Sequence, residues 1–128
     1  MERITVITRA HMEFVDVTSE VQAAITRLTC FDGIALVFVP HTTAGIVINE
    51  GADPAVQEDL LQALKHITPA LSYRHAEGNS PAHFQAALTG ASVLLPVEKG
   101  RLCLGTWQRI FFCEFDGPRT RNLWIKTV

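Results

Sequence analysis

The residues best suited to do chemistry in this 128-residue chain are His41-Thr42-Thr43, which are followed a few positions later by Asn49 and Glu50. An imidazole, two hydroxyls, an amide and a carboxylate thus flank an apolar run that is typical of a core strand. Polar side chains at the ends of strands can be presented to a cleft. We therefore interpret this cluster as one half of a site.

A second cluster, Tyr73-Arg74-His75-Ala76-Glu77-Gly78-Asn79, lies further along the chain and is followed by His83. It offers imidazoles and a carboxylate that match the chemistry of the first cluster. Two such clusters in so small a protein predict one site that is assembled from both.

Three histidines, His41, His75 and His83, each lie at a predicted element boundary beside other polar residues. Histidine is the commonest metal-ligating side chain, and a catalytic metal site uses about three protein ligands and one open position. We therefore expect a divalent ion, zinc or magnesium, between these imidazoles. The alternative is that all three are hydrogen-bonded at strand and helix ends, because their spacing matches no compact motif such as HExxH.

The expected catalytic residues are Glu50, as a base, and His41. Strand parity places Glu50 on the same face as Ile46 and Ile48. A carboxylate on a buried apolar face must be paired, metal-bound or protonated. A structural salt bridge is the rival interpretation.

A second polar stretch, Gly105-Thr106-Trp107-Gln108, interrupts a run of strand residues. Its glycine permits close approach of another group, as Gly45 does in the first cluster, and Trp107 can form an apolar wall. The alternative is a bulge at the glycine and a tryptophan in the core. The residues expected to bind substrate are Thr42, Thr43, Asn49, Thr106, Trp107, Gln108 and Arg119.

Composition excludes several classes of function. A net charge of −2 argues against a broad nucleic-acid surface, although Arg119 and Arg121 could form a local basic pocket or be solvated. No apolar run approaches the roughly 18 residues of a membrane span, and the N-terminal residues do not resemble a secretory signal. Three cysteines without a close CxxC pair suit reduced thiols. We expect a cytoplasmic protein with no nucleic-acid or membrane partner.

Capping residues and apolar periodicity predict three helices. They begin at Thr18 or Ser19, at Asp53 and at Ser80, and the last two end at Pro69 and Gly90. Ser19 and Gln22 have the spacing of a capping box. The predicted strands are 4–8, 14–17, 34–39, 46–48, 92–96, 102–115 with a break, and 122–128.

Helices that do not alternate regularly with strands argue against a doubly wound parallel sheet. They favour a single α+β domain over residues 1–128, with a mixed, largely antiparallel sheet or sandwich and about three helices. The stretch 102–115 is apolar on both faces, so a second sheet, helices or a neighbouring subunit must cover it.

Several motifs, in the right order, resemble the YjbQ family, which is named for secondary thiamine-phosphate synthase activity. The motifs are His41-Thr42-Thr43-Ala44, Asn49-Glu50, Asp53-Pro54, Tyr73-Arg74-His75, Glu77-Gly78, Ala82-His83, Gly105-Thr106-Trp107-Gln108 and Glu114. Two positions depart from the family pattern. Gly51 replaces an asparagine or similar residue, and Gln85-Ala86-Ala87 replaces lysine-serine-serine, which removes a cation and two hydroxyls.

The resemblance implies a homotrimer with a metal or anion site near His41, His75 and His83. The implied reaction joins hydroxymethylpyrimidine diphosphate to thiazole phosphate and releases diphosphate, whose charge a divalent ion and Arg119 would stabilise. This reaction could be a side activity. The alternatives are a metal-dependent hydrolase of a small phosphorylated substrate, with Glu50 as base, and a non-catalytic trimer that binds a small anion or metabolite.

Overall fold

The computed structural model describes residues 1–128 and contains eight strands and three helices. In chain order they are β1 (Glu2–Ile7), β2 (Glu13–Asp16), α1 (Thr18–Arg27), β3 (Gly33–Phe38), β4 (Ala44–Glu50), α2 (Pro54–Ile67), α3 (Ser80–Thr89), β5 (Ser92–Glu98), β6 (Arg101–Leu102), β7 (Gln108–Glu114) and β8 (Thr120–Thr127). None of the helices is long and apolar enough to cross a membrane.

The strands form two antiparallel sheets. The larger sheet has the order β1-β8-β3-β5-β6, and the smaller sheet has the order β2-β7-β4. Every strand pair is antiparallel. The predicted α+β class with a largely antiparallel sheet is therefore confirmed.

The main core lies between the inner faces of the two sheets and α1. Alternate residues of each strand point inward, as the strand period of two requires. In the larger sheet these include Val37, Leu95 and Leu123, and α1 adds Val21 and Ile25. A smaller cluster of Ala82, Ala86, Cys113 and Phe115 lies on the other face of β7, beneath α3 and with Leu64 of α2 packed against it.

The stretch 102–115 breaks after β6, and its apolar part, β7, is covered within one chain. Ile110 and Phe112 lie in the main core, whereas Cys113 and Phe115 lie in the cluster under the helices. Helices and a second sheet therefore cover both faces of this strand. Trp107 is 63% exposed in the turn before β7, so the alternative that it packs in the core is wrong.

The predicted helix starts are partly confirmed. Asp53 caps α2, with its carboxylate accepting a hydrogen bond from the Ala55 N–H at 2.9 Å. The capping box at α1 is wrong, because the Gln22 side chain instead bonds the backbone of Gly100 and Leu102. The cap of α3 is Asn79, and Ser80 is already helical.

Gly45 is approached closely by the chain itself. A Cβ atom at this position would lie 2.8 Å from the carbonyl oxygen of Gly90, and it would also overlap the Thr89 hydroxyl. The Ile46 N–H donates to that same Gly90 carbonyl at 3.1 Å. This glycine therefore lets the end of α3 rest against β4.

We expect Gly45→Ala to destabilise the fold by about 1–3 kcal/mol, because the end of α3 must move away from β4. Gly105→Ala is the matched control, since its added Cβ would meet only the flexible Gln108 side chain, at 3.2 Å. Chemical denaturation measures both variants. Equal stability of the two variants would contradict the close packing of α3 on β4.

Candidate functional site

His83 is held by the backbone of Thr42. Its Nδ1 lies 3.1 Å from the Thr42 carbonyl oxygen. A carbonyl oxygen can only accept, so Nδ1 carries the proton and the neutral ring keeps its lone pair on Nε2. The His75 ring packs edge-on against His83, with 5.4 Å between the ring centroids. These two predicted site residues are therefore brought together beside Thr42.

His41 is held in the opposite sense. The backbone N–H of Asn122, on β8, donates to His41 Nε2 at 2.8 Å. An N–H group can only donate, so the lone pair of the neutral ring is on Nε2 and the proton is on Nδ1. The nitrogen of His41 that remains free is a hydrogen-bond donor, whereas the free nitrogen of His83 is an acceptor. A donor on His41 and an acceptor on His83 thus lie beside Thr42.

A buried ion pair lies beneath this segment. Glu114 is 0% exposed and Arg121 is 5% exposed. Arg121 Nε donates to Glu114 Oε1 at 2.8 Å, and its Nη2 donates to Glu114 Oε2 in the same bidentate pair. Nη2 also donates to the Thr43 hydroxyl at 2.8 Å, and the Thr8 hydroxyl donates to Glu114 at 2.7 Å. Thr43, the residue after His41 and Thr42, is therefore fixed to charged groups in the interior.

The ion pair and its neighbours shift two pKa values. Burial alone would raise the pKa of Glu114, but hydrogen bonds from Arg121, Thr8 and the Asp116 backbone lower it below its ordinary value. Burial lowers the pKa of His41, the charge of Arg121 lowers it further, and Glu114 only partly opposes them. A proton on His41 Nε2 would also displace the Asn122 hydrogen bond. His41 is therefore neutral at pH 7.

No three His, Cys, Asp or Glu side chains of the chain converge closely enough to hold a metal ion. At His41, Asn122 also uses the Nε2 lone pair that a metal would need. His83 does fit a ligand role, because ligating histidines usually donate their other N–H to a carbonyl or carboxylate. A site for zinc or magnesium that includes all three histidines stays a prediction, and it would require His41 to release Asn122.

The other predicted site residues lie at the far end of β4. Glu50 is opposite Gln108 in the sheet, and Asn49 is opposite Arg109. Glu50 is half-buried, and its carboxylate accepts a hydrogen bond from the Asp53 N–H at 3.0 Å, at the start of α2. A seven-residue strand separates these residues from Thr43, which is about 20 Å at about 3.3 Å per residue. Within one chain, Asn49 and Glu50 therefore do not reach the His41 and Thr42 end of the strand.

The remaining predicted residues divide between the two ends. Thr106 and Trp107 are exposed in the turn before β7, on the Glu50 side, and Gln108 accepts a hydrogen bond from the Gly105 N–H at 2.8 Å. Arg119 is exposed just before β8, on the His41 side, and pairs with Asp116 at 3.0 Å.

Sequence reasoning underestimated Arg121, which is buried and not solvated. Strand parity was the available signal. Arg121 has the same parity as Leu123 and Ile125, and Glu114 has the same parity as Ile110 and Phe112, all of which are buried. Two opposite charges on inward-facing positions must be paired.

The departure at Gln85 does not lie at the histidines. The Gln85 side chain donates to the Thr68 hydroxyl at 3.0 Å, whereas His83 contacts Thr42. Residues two positions apart on a helix point in different directions. The change from the family pattern at Gln85 therefore alters the contact between α3 and the end of α2 and not the surroundings of His83.

Comparison with known proteins gives consistent matches over nearly the whole chain. The family model described as "UPF0047 protein YjbQ-like" matches residues 2–128. UPF0047 protein YugU of Bacillus subtilis is 47% identical over 130 residues, covering 100% of this chain and 98% of YugU. UPF0047 protein MJ1081 of Methanocaldococcus jannaschii is 47% identical over 122 residues, covering 94% of this chain and 88% of that protein.

Solved structures agree with the fold. An uncharacterized conserved protein of the YjbQ/UPF0047 family from Clostridium acetobutylicum is 46% identical, with a TM-score of 0.96 and 100% of both chains covered. The conserved hypothetical protein TT1486 from Thermus thermophilus is 45% identical, with a TM-score of 0.92 and 100% of both chains covered.

We expect His41 to titrate below the ordinary imidazole value of 6.5, because burial and Arg121 favour the neutral ring. The folded state then binds fewer protons than the unfolded state, so this group's contribution to stability is present above pH 6.5 and is lost as the pH falls below that value. Long-range ¹H–¹⁵N NMR at pH 7.5 should show Nδ1 protonated and Nε2 unprotonated. A protonated Nε2 would contradict the Asn122 hydrogen bond and reopen the metal-ligand role of His41.

Proposed function

Because the chain belongs to the UPF0047 protein YjbQ-like family, we propose that it is an enzyme of the thiamine-phosphate synthase type. It joins hydroxymethylpyrimidine diphosphate to thiazole phosphate. In this reaction the bond between the pyrimidine methylene and the diphosphate oxygen breaks, a bond from that methylene to the thiazole nitrogen forms, and diphosphate leaves. The enzyme acts in the cytosol, where its three free cysteines suit a reducing environment.

The observation that carries this proposal is the pair of opposed imidazoles around Thr42. His41 offers an Nδ1–H donor, and phosphate oxygens accept such donors. His83 offers an unprotonated Nε2 that can take a proton or orient a donor of the substrate. Both groups are preorganised by backbone hydrogen bonds, which is the property that electrostatic stabilisation of a leaving group requires.

In this proposal, two groups neutralise the negative charge of the diphosphate. Arg119 lies at the same end of the sheets as His41, and its charge is shared with Asp116. A divalent ion would neutralise diphosphate oxygens when bound. The residues that fit such an ion are His83 and His75, whose rings are adjacent, with further ligands supplied from outside this cluster. With an ion bound, His83 Nε2 would be a ligand and would not accept a proton.

The proposed enzyme is a homotrimer, and the outer face of the larger sheet is its interface. Leu94 on β5 is 66% exposed, and Leu36 and Phe38 on β3 lie on the same outward side. Trp124 continues this surface on β8, where its ring lies 5.8 Å from that of Phe38. The buried residues of α1 and α3 belong to the inner clusters, so helices do not cover this face. A large exposed apolar patch favours association.

A ring of three copies also explains why the predicted site is divided. In a cyclic trimer, different patches of neighbouring subunits meet. Asn122, which holds His41, lies on β8 beside the apolar face. The Glu50 and Trp107 end of one subunit can therefore complete the His41 end of the next, and Glu50 then acts as the base across the boundary.

Complementation tests the proposed reaction. We expect the wild-type chain to rescue a thiamine auxotroph that lacks its own thiamine-phosphate synthase. His41→Ala should fail to rescue and should lower turnover by about 10²–10⁴-fold, since it removes a group that acts on the substrate. His66→Ala is the matched control, because His66 is exposed on α2.

The other outcomes of this experiment distinguish the alternatives. Absence of rescue by the wild type, with metal-dependent hydrolysis of generic phosphate esters, would replace the proposal with a hydrolase. Binding of inorganic phosphate without any turnover would replace it with a non-catalytic anion-binding trimer.

Light scattering at micromolar concentration tests the assembly. We expect about three times the chain mass of 14.1 kDa for the wild type. Leu94→Glu should give monomers, because it buries a charge in the proposed interface. Leu88→Glu, at an exposed position on α3, is the control and should remain trimeric. A wild-type monomer that keeps its activity on dilution would contradict the shared site.

A further inference from the structure

A pocket lies beside α3, where Ala82 and Gln85 line it. It has a volume of about 460 Å³, within the size range of small-molecule sites. The end of α2, the 68–79 segment, the start of α3, residues 11–12 and the two residues after β7 form its walls. Met12, Pro81 and Ala82 give it an apolar floor.

Gln85 presents a hydrogen-bond acceptor in this pocket. Its side chain is only 4% exposed, and its Nε2 donates to the Thr68 hydroxyl at 3.0 Å. That hydroxyl gives its own proton to the Leu64 carbonyl at 2.6 Å, so it must accept from Gln85. The orientation of the amide is therefore fixed. Gln85 Oε1 is left without a donor from the chain.

Two further polar residues, Asn79 and Tyr73, line the same pocket. Asn79 Nδ2 donates to the Asp116 carboxylate at 2.9 Å, and its buried Oδ1 has no hydrogen-bond partner. The Tyr73 hydroxyl donates to the Pro69 carbonyl, so its oxygen is free to accept. Asn79 Oδ1 is shielded from solvent, whereas the exposed Tyr73 hydroxyl can accept a hydrogen bond directly from a bound group.

We propose that this pocket binds a small neutral heterocycle that carries an amino group. The apolar floor suits a flat ring, and the acceptors of Gln85 and Tyr73 suit its N–H groups. Lys65 brings one positive charge to the lining, whereas Glu77 and Asp116 bring two negative charges, and Asp116 also pairs with Arg119. The pocket therefore offers no excess of positive charge to an anion.

This site lies on a different face of α3 from the His83–Thr42 contact and extends beyond the proposed transferase reaction. His83 directs its Nδ1 to Thr42, whereas Gln85 lies against Thr68. Binding here can be measured without any turnover. The proposed reaction and the second site can therefore fail independently.

NMR titration of the full-length protein with 4-aminopyrimidine tests the proposal. We expect saturable shifts of the Gln85 side-chain amide and of the Thr68 and Asn79 backbone amides. Pyrimidine, which lacks the amino group, should bind about tenfold more weakly or worse, because the acceptors would stay unpaired. Inorganic phosphate should leave these signals unchanged.

Substitutions inside and outside the pocket test whether 4-aminopyrimidine binds there. Gln85→Leu should weaken 4-aminopyrimidine binding at least about tenfold, whereas Gln62→Leu, on the exposed side of α2, should bind like the wild type. Tyr73→Phe removes only a surface hydroxyl, so it tests the same wall without a buried change. Equal binding of pyrimidine and 4-aminopyrimidine, shifts with phosphate alone, or no effect of both Gln85→Leu and Tyr73→Phe would overturn the proposal.

Discussion

Glu114 lies on β7 in the smaller sheet and Arg121 lies on β8 in the larger sheet, so their buried ion pair joins the two sheets across the core. The same two side chains bond Thr8 after β1 and Thr43 before β4. One end of the sandwich is thereby tied together. The end that is fixed in this way is the end that carries His41 and Thr42.

A buried ion pair is a poor source of stability, because removing two charges from water costs about as much as their attraction returns. Here the carboxylate also accepts N–H groups of Phe115 and Asp116. The pair is thus well satisfied, and loss of one partner would cost about 3–5 kcal/mol by leaving the other charge unpaired. Its role is to fix the position of β8. The residue after Arg121 on this strand, Asn122, then donates a backbone hydrogen bond to His41 at 2.8 Å. A packed apolar pair would not fix the register of β8 against the His41 segment in this way.

Patterns with a local cause were predictable from the sequence. The Asp53 cap, the Gly90 helix stop and the strand alternation depend on neighbouring residues, and the structure contains all three. The Ser19–Gln22 capping box failed because Gln22 finds distant partners at Gly100 and Leu102. Local spacing carries no information about such contacts.

The candidate site also depends on contacts between distant residues, which local spacing does not reveal. Adjacency in a motif suggested that His41 and Glu50 act together, but the residues between them form an extended strand, which holds its two ends about 20 Å apart. His83, which is distant in sequence, instead reaches Thr42 because α3 packs on β4 through Gly45. The direction of each free imidazole nitrogen depends on backbone groups of Thr42 and Asn122, whose side chains do not enter the bond. Residue types can therefore indicate that the histidines matter, and only the fold determines that His41 donates while His83 accepts.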